Sequence, residues 1–479
     1  MNLINKINKV SNQYTLDTLR YLPAKLIPAF VSFLWSYIFA RIFSVESYGE
    51  YGLVLAVTLP IISMISEFSS QPFMRFYEEY KNNLHVYRKI IKRMLYTSFI
   101  LILIIFGITY PILNLSFRVN SIIILAVFLN IILNSIYLSL LPLLTVTYKI
   151  NLYRNMEIYR NLLKLSIALF AVFTIEKNIV FLIIADSIAS LIVLLILLRC
   201  VFKDILPRVN NQLNINIEFK RFLKYGLPMT IWFLSAQLLN VGDRFVIKLL
   251  DSTSNLGIYT GCYIFITGIT SLIGTPFILA AHPRIISMWK HQDIRKIEET
   301  IKNLTTFYIA ASIMFIGFIY LTSDHIVLFF LGDKYLSGHV ILVPTVAGAL
   351  LWQLTMIGHK GIELYEKNHL MVVGVIIAAL LNMILNVTLF DIFGFKVAAW
   401  TTLICYFLYA CYIGIVSQKY IRWMIDYKYV LLYFFSLFIT VYMVSIFTNN
   451  LFVKIIMYVL LSSMVILVIE KKIRRMWKN

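Results

Sequence analysis

Charge is scarce in this chain. Asp, Glu, Lys and Arg make up 14% of its 479 residues, against about 25% in a soluble domain. So few charges cannot cover the surface of a soluble enzyme of this length. Cysteine is scarcer still: Cys200, Cys262, Cys405 and Cys411 form no C-x-x-C pair and mostly lie in apolar runs, which excludes a disulfide scaffold and a thiolate metal site. His282, His325, His339 and His359 lack the i,i+4 spacing of a helical metal pair. No glycine-rich loop ends in Lys-Ser or Lys-Thr, so nothing points to direct use of ATP. The polar first 20 residues and the long apolar run after them do not form a cleavable signal. No cofactor is implied.

What is abundant is apolar sequence. Hydrophobic residues make up 60% of the chain, in runs rather than in the alternation of an outer-membrane barrel. A membrane-spanning helix needs about 20 of them. Apolar stretches occur at 22–43, 50–70, 94–115, 121–147, 161–176, 178–198, 226–249, 256–281, 303–323, 338–358, 370–391, 397–416, 429–447 and 452–469. They predict an all-α integral membrane protein with about fourteen transmembrane helices. The excess of 43 Lys and Arg over 23 Asp and Glu raises the question of nucleic acid. With the N-terminus placed in the cytoplasm, however, 35 of the 43 cations fall in inner segments. That is the positive-inside rule, and it predicts cytoplasmic termini and no nucleic-acid partner. The amphipathic segments Arg75–Lys81 and Lys290–Lys302 read as connectors along the cytoplasmic face. The 30 Tyr and 7 Trp read as interfacial belts.

The two halves of the chain share a pattern. Leu22-Pro23 is matched by Leu227-Pro228, Gly49-Glu50-Tyr51 by Gly257-Ile258-Tyr259, Arg75 by Arg284, Lys81 by Lys290, Thr97 by Thr306, and Leu152-Tyr153 by Leu364-Tyr365. The register between them drifts from 205 to 212 residues, as small loop insertions would produce. Six spans per half is an even number, which makes a parallel repeat about an axis along the membrane normal, an arrangement found in secondary transporters. The predicted organisation is a cytoplasmic segment at 1–21, a six-helix bundle at 22–200, a cytoplasmic connector at 201–225, a second six-helix bundle at 226–416, an added helix pair at 417–469 and a basic cytoplasmic tail at 470–479. The two bundles are expected to be pseudo-symmetric.

Three stretches carry a family resemblance. The run Ala40-Arg-Ile-Phe-Ser-Val-Glu-Ser-Tyr-Gly-Glu-Tyr-Gly52 resembles the first outer turn of polysaccharide transporters, with Val45 where members usually carry Pro. Leu223-Lys-Tyr-Gly-Leu-Pro228, followed by Asp243-Arg244 and Gly257-Ile-Tyr259, is similar to their seventh and eighth spans. Leu381-Asn-Met-Ile-Leu-Asn386, followed by Gly394 and Ala398-Ala399, is similar to their eleventh and twelfth. The resemblance is to Wzx-type O-antigen or capsule repeat-unit flippases of the multidrug/oligosaccharidyl-lipid/polysaccharide exporter superfamily. It implies a non-enzymatic flippase in the bacterial inner membrane, working by alternating access on a lipid-linked oligosaccharide. It also implies contact with membrane lipids and with polysaccharide polymerase and chain-length partner proteins. Two alternatives stay open: a cation-coupled multidrug exporter of the same superfamily, and a membrane-embedded glycosyltransferase or polymerase.

Such cargo needs a polar path, because a bare charge at the bilayer centre costs about 2.5–3.5 kcal/mol on insertion scales. The polar pairs inside spans are Asn130 and Asn134, Gln237 and Asn240, and Asn382 and Asn386, with Gln353 alone. Amides donate and accept hydrogen bonds, which suits sugar hydroxyls, and they equally suit helix-to-helix bonds. Arg244 and Lys248 share one face at i,i+4 and are candidates for holding a diphosphate. Snorkelling to headgroups, with Lys248 paired to Asp251, is the other reading. Lys25 and Arg75 are candidates for first contact at the cytoplasmic mouth, or ordinary positive-inside charge. Asp186, deep in the sixth span, is a candidate ion-coupling carboxylate or the fixed partner of a cation on a neighbouring helix.

Overall fold

The computed structural model describes residues 23–117, 121–205, 215–290, 292–447 and 450–462. The expected segments 1–21 and 470–479, and residues 206–214 of the expected connector, lie outside the described residues. Every long element is a helix: α1 (Pro23–Ile42), α2 (Val45–Tyr80), α3 (Leu84–Phe117), α4 (Ser121–Leu140), α5 (Ile150–Thr174), α6 (Val180–Arg199), α7 (Asn216–Val241), α8 (Asp243–Leu250), α9 (Thr253–Lys290), α10 (Ile294–Phe330), α11 (Leu342–Gly358), α12 (Asn368–Phe393), α13 (Val397–Ser417), α14 (Tyr427–Phe447) and α15 (Leu451–Ser462). Each of the fourteen expected spans falls on one of them, the seventh being shared by α7 and α8. Among the described residues, nine helical segments are long and apolar enough to cross a membrane by length and composition.

Several helices run past the apolar stretch that announces them. α2 has 36 residues, or roughly 54 Å at 1.5 Å per residue, against a hydrocarbon core of about 30 Å. The surplus is polar sequence, so Arg75–Lys81 is no separate connector: it is the end of α2 and its C-cap. The stretch 290–302 likewise divides between the end of α9 and the start of α10, around a short turn whose Asp293 caps α10 by accepting from the Lys296 amide at 3.2 Å. The apolar run at 327–331, between the predicted stretches 303–323 and 338–358, forms the end of α10 and its C-cap, and the helix stops where Gly332 takes a positive φ of 95°. α5 begins at Ile150 rather than at 161, so Arg160 sits on the same helix as Lys164 and not in a connector.

Contacts divide the chain into two compact units. One comprises 1–260 and 375–388, the other 261–374 and 389–479. The six-plus-six organisation rests on the sequence repeat alone. Within the first unit, α2 is the central helix, packed against α3, α4, α7 and α8, while α5 packs on α1 and α6. One end of this unit holds an aromatic core of Phe73, Phe76, Tyr77, Tyr80, Tyr87 and Phe222. It lies where the apolar runs give way to polar sequence, so burial from water counts there at about 1.5–3 kcal/mol per large side chain. Between helices surrounded by lipid, close packing and polar bonds must supply the attraction instead. Within the second unit, α10 packs on α11 and α14, and α11 on α13. The C-terminal pair docks on α10 through Leu437, Val444 and Tyr458 against Leu321, and the Tyr458 hydroxyl donates to the Met314 carbonyl.

Candidate translocation site

The motif residues of the first unit meet at one place. α7 ends at Val241, and α8 starts at Asp243 after Gly242. Asp243 is fully buried, and the hydroxyl of Tyr259 donates to its Oδ2. The spacing from Asp243 to the Gly257-x-Tyr259 motif thus closes a hydrogen bond between α8 and α9. Beside it the two Gly-x-Tyr turns pack together. A Cβ on Gly257 would stand 1.8 Å from the Val45 carbonyl oxygen, and one on Gly49 would stand 2.4 Å from that of Thr253. Only glycine admits this approach.

Arg244 is 2% exposed, and its guanidinium is within electrostatic range of Tyr48 and Tyr51. It is covered by protein and does not reach out to headgroups. Lys248 is half-buried and donates to Thr253 Oγ1. The alternative pairing with Asp251 is not made: that carboxylate accepts from Asn255 Nδ2 at 2.9 and 3.0 Å. One to two turns back along α7, Gln237 and Asn240 are half-buried. Gln237 Oε1 is buried without a hydrogen-bond partner among the described residues. An unmatched buried acceptor costs about 1–3 kcal/mol and calls for water or a ligand donor.

Asn382 and Asn386 are fully buried, and Asn386 Nδ2 donates to Asn382 Oδ1 at 3.1 Å. Their stretch of α12 passes the α7–α8 junction, where Met383 Sδ lies 3.6 Å from the position of a Cβ on Gly242. The structure therefore brings the α12 candidates beside the α7–α8 candidates. Arg75 stands apart, exposed near the end of α2. The side chain of Lys25 lies outside the described residues.

A second polar centre joins α4, α5 and α6. Asp186 Oδ1 is 3.0 Å from Arg160 Nη2 and 3.3 Å from Lys164 Nζ. Its Oδ2 accepts from Asn130 at 3.0 Å and Asn134 at 3.2 Å. Arg160 Nε donates to Ser190 Oγ at 2.9 Å, and Ser190 donates to Asn134 Oδ1 at 2.9 Å. Tyr137, under the Arg160 guanidinium at 5.3 Å, donates to Glu157 at 2.8 Å. Asp186 thus has the geometry of a carboxylate fixed between two cations, and Asn130 and Asn134 bond to helices rather than face a ligand. From here an aromatic path leads back to the first centre: Lys164 Nζ lies 4.6 Å from the Trp35 ring, Trp35 is 6.4 Å from Tyr51, and Tyr51 is 5.8 Å from Tyr48.

The second unit, taken by itself, holds an apolar groove of about 500 Å³ between α10 and α14, lined by Ile313, Ile316, Tyr320, Phe434, Phe438 and Tyr442 among others. In the same unit Gln353 accepts from Tyr308 at 3.2 Å.

Sequence reasoning missed Arg160, Lys164, Trp35 and Tyr259 as site neighbours. The signal for the first two was present: they sit at i,i+4 and, with Asn134 and Asp186, are polar positions along neighbouring apolar helices. They were assigned to the inner charge instead.

The described residues thus form a multi-pass helical membrane protein with an ion-paired polar centre and polar pairs inside its helices. The model of a family described as polysaccharide biosynthesis protein matches residues 17–289, and the chain belongs to that family. Among solved structures, it is similar to the lipid II flippase MurJ in an inward closed conformation, with a TM-score of 0.73 at 16% identity, over 97% of this chain and 100% of that one. It is also similar to an inward-facing MATE family multidrug transporter of the MOP superfamily, with a TM-score of 0.59 at 13% identity, over 84% and 94% of the two chains. A MOP superfamily transporter from Pyrococcus furiosus gives a TM-score of 0.54 at 12% identity, over 84% and 95%. At these identities the likeness is one of fold, and the folds are those of transporters and flippases. Among curated protein sequences, none matches significantly.

Proposed function

We propose that this protein is a flippase moving undecaprenyl-pyrophosphate-linked oligosaccharide repeat units, of O-antigen or capsule type, from the cytoplasmic to the outer leaflet of the bacterial inner membrane. Both termini are cytoplasmic in this reading, and the translocation is an alternating-access movement without covalent chemistry. The observation that carries it is the conjunction of polysaccharide-family membership with the fold shared with a lipid II flippase.

The residues support a division of labour. Lys25 and Arg75 meet the diphosphate at the cytoplasmic mouth. Arg244 and Lys248 hold it in passage. The amides of Gln237, Asn240, Asn382 and Asn386 serve the sugars, and the unmatched acceptor of Gln237 is the clearest invitation to a hydroxyl. Since Arg244, Asn382 and Asn386 are covered in this conformation, they serve only when the contacts over them open. The apolar groove between α10 and α14 takes hydrocarbon of the lipid carrier. A polymerase and a chain-length protein are its proposed partners downstream. Asp186, already neutralised twice over, serves better as an anchor than as the ion-coupling carboxylate. The multidrug-exporter reading shares the fold, but it asks for an accessible acidic pocket, and the polar candidates here are amides and cations.

Reconstitution tests the proposal. Proteoliposomes loaded with a fluorescent short-chain polyprenyl-diphosphate oligosaccharide should expose it to an external lectin at a rate set by the protein. A rate equal to that of empty liposomes would contradict the proposal.

A further inference from the structure

The first turns of α3 gather the cations Arg88, Lys92 and Arg93. Arg88 Nη1 donates to the Phe202 carbonyl at 2.5 Å, and its guanidinium lies 5.2 Å from the Phe202 ring. Lys92, one turn on, places Nζ 5.7 Å from the same ring. Arg93 donates to Asn216 Oδ1 at 2.6 Å and lies 4.3 Å over Phe219. Neither Lys92 nor Arg93 is in ion-pair distance of a carboxylate among the described residues. The nearby glutamates are engaged elsewhere: Glu78 with Lys81, Glu79 with Arg221, and Glu218 with the Tyr80 hydroxyl. Carbonyls, amides and ring faces orient a cation without cancelling its charge. Lys92, Arg93 and Lys203 are all exposed.

Immediately above this cluster α3 turns apolar and stays exposed. Tyr96 is 66% exposed, and Phe99, Ile100, Leu103 and Ile104 continue the same side of the helix at the three- and four-residue steps of one face. Cations, then an aromatic ring with a polar tip, then an aliphatic strip is the order of a phospholipid: phosphate, interface, acyl chain.

We propose that the base of α3, with Lys92 and Arg93, binds the phosphate of an anionic bilayer phospholipid whose chain lies along Tyr96 to Ile104. The lipid is a bound component of the membrane, distinct from the cargo. Basic clusters at the cytoplasmic end of membrane helices attract anionic headgroups by about a factor of five per Lys or Arg.

The test is native mass spectrometry of the full-length protein with equal amounts of phosphatidylglycerol and phosphatidylcholine. The wild type should retain phosphatidylglycerol in preference. Lys92→Gln with Arg93→Gln should cut that preference by about 25-fold, and Lys92→Arg with Arg93→Lys should keep it. Lys92→Gln alone should cut it about five-fold, which keeps the test open should the double variant fail to fold. Equal retention of the two lipids by the wild type, or an unchanged preference in Lys92→Gln, would overturn the proposal. Displacement of phosphatidylglycerol by millimolar inorganic pyrophosphate would overturn it too, by making this a site for the cargo's diphosphate.

Discussion

At the scale of single residues, the account turns on two charged groups. Arg244 is buried beside Tyr48 and Tyr51, and its planar fork can make a bidentate contact that an ammonium cannot copy. Losing a charge-assisted hydrogen bond costs about 1.5–3 kcal/mol, one to two decades in affinity. Arg244→Lys should therefore lower polysaccharide output at matched protein level, and Arg244→Ala should lower it further. Full output from Arg244→Ala would remove the diphosphate role. Asp186 is the contrasting case. Removing one partner of a buried ion pair strands the other, at a cost of about 3 kcal/mol, the low end of the usual range because its side chain keeps 16% exposure. Asp186→Asn should melt at a lower temperature in detergent, while the protein that remains folded keeps its response to an imposed ion gradient. An unchanged melting curve with the gradient response lost would make Asp186 the coupling carboxylate instead.

At the scale of elements, glycine decides how close two helices come. Gly257 lies against the Val45 carbonyl, where an added Cβ would be 1.8 Å away. The obstacle is backbone, so the helices themselves must part. Gly257→Ala should loosen the α2–α9 contact and raise the reactivity of a cysteine placed at Tyr48, which is fully buried in the parent. Unchanged labelling would mean that the contact tolerates a methyl group and fixes nothing. The motif was legible in the sequence, but its reason was not: Gly49 and Gly257 stand about two hundred residues apart, and only the fold shows that they touch. Helix existence was legible throughout, because runs of about 20 apolar residues leave little choice. Helix ends were not. Hydropathy reports where lipid begins, whereas α2, α9 and α10 continue as helix through polar sequence beyond it. The start of α5 is not legible because Arg160 looks like loop charge until Asp186 is seen opposite it.

At the scale of the whole molecule, the apolar helices and the family match together define a multi-pass membrane protein of a polysaccharide biosynthesis family, and its fold is shared with MurJ and MATE proteins. The cation bias predicts a sidedness that labelling can check. Cysteines at Ser252 and Lys334 should react with an impermeant reagent in intact cells, and one at Asn82 should not. Labelling at Asn82 in sealed cells would reverse the orientation. The central claim concerns cargo, and the most direct measurement is the leaflet distribution of lipid-linked repeat units in a strain lacking this protein. The account predicts that they accumulate facing the cytoplasm, closed to a lectin added to sealed spheroplasts, and that the wild-type gene restores exposure. Repeat units that reach the outer leaflet as fast without the protein as with it would contradict the account.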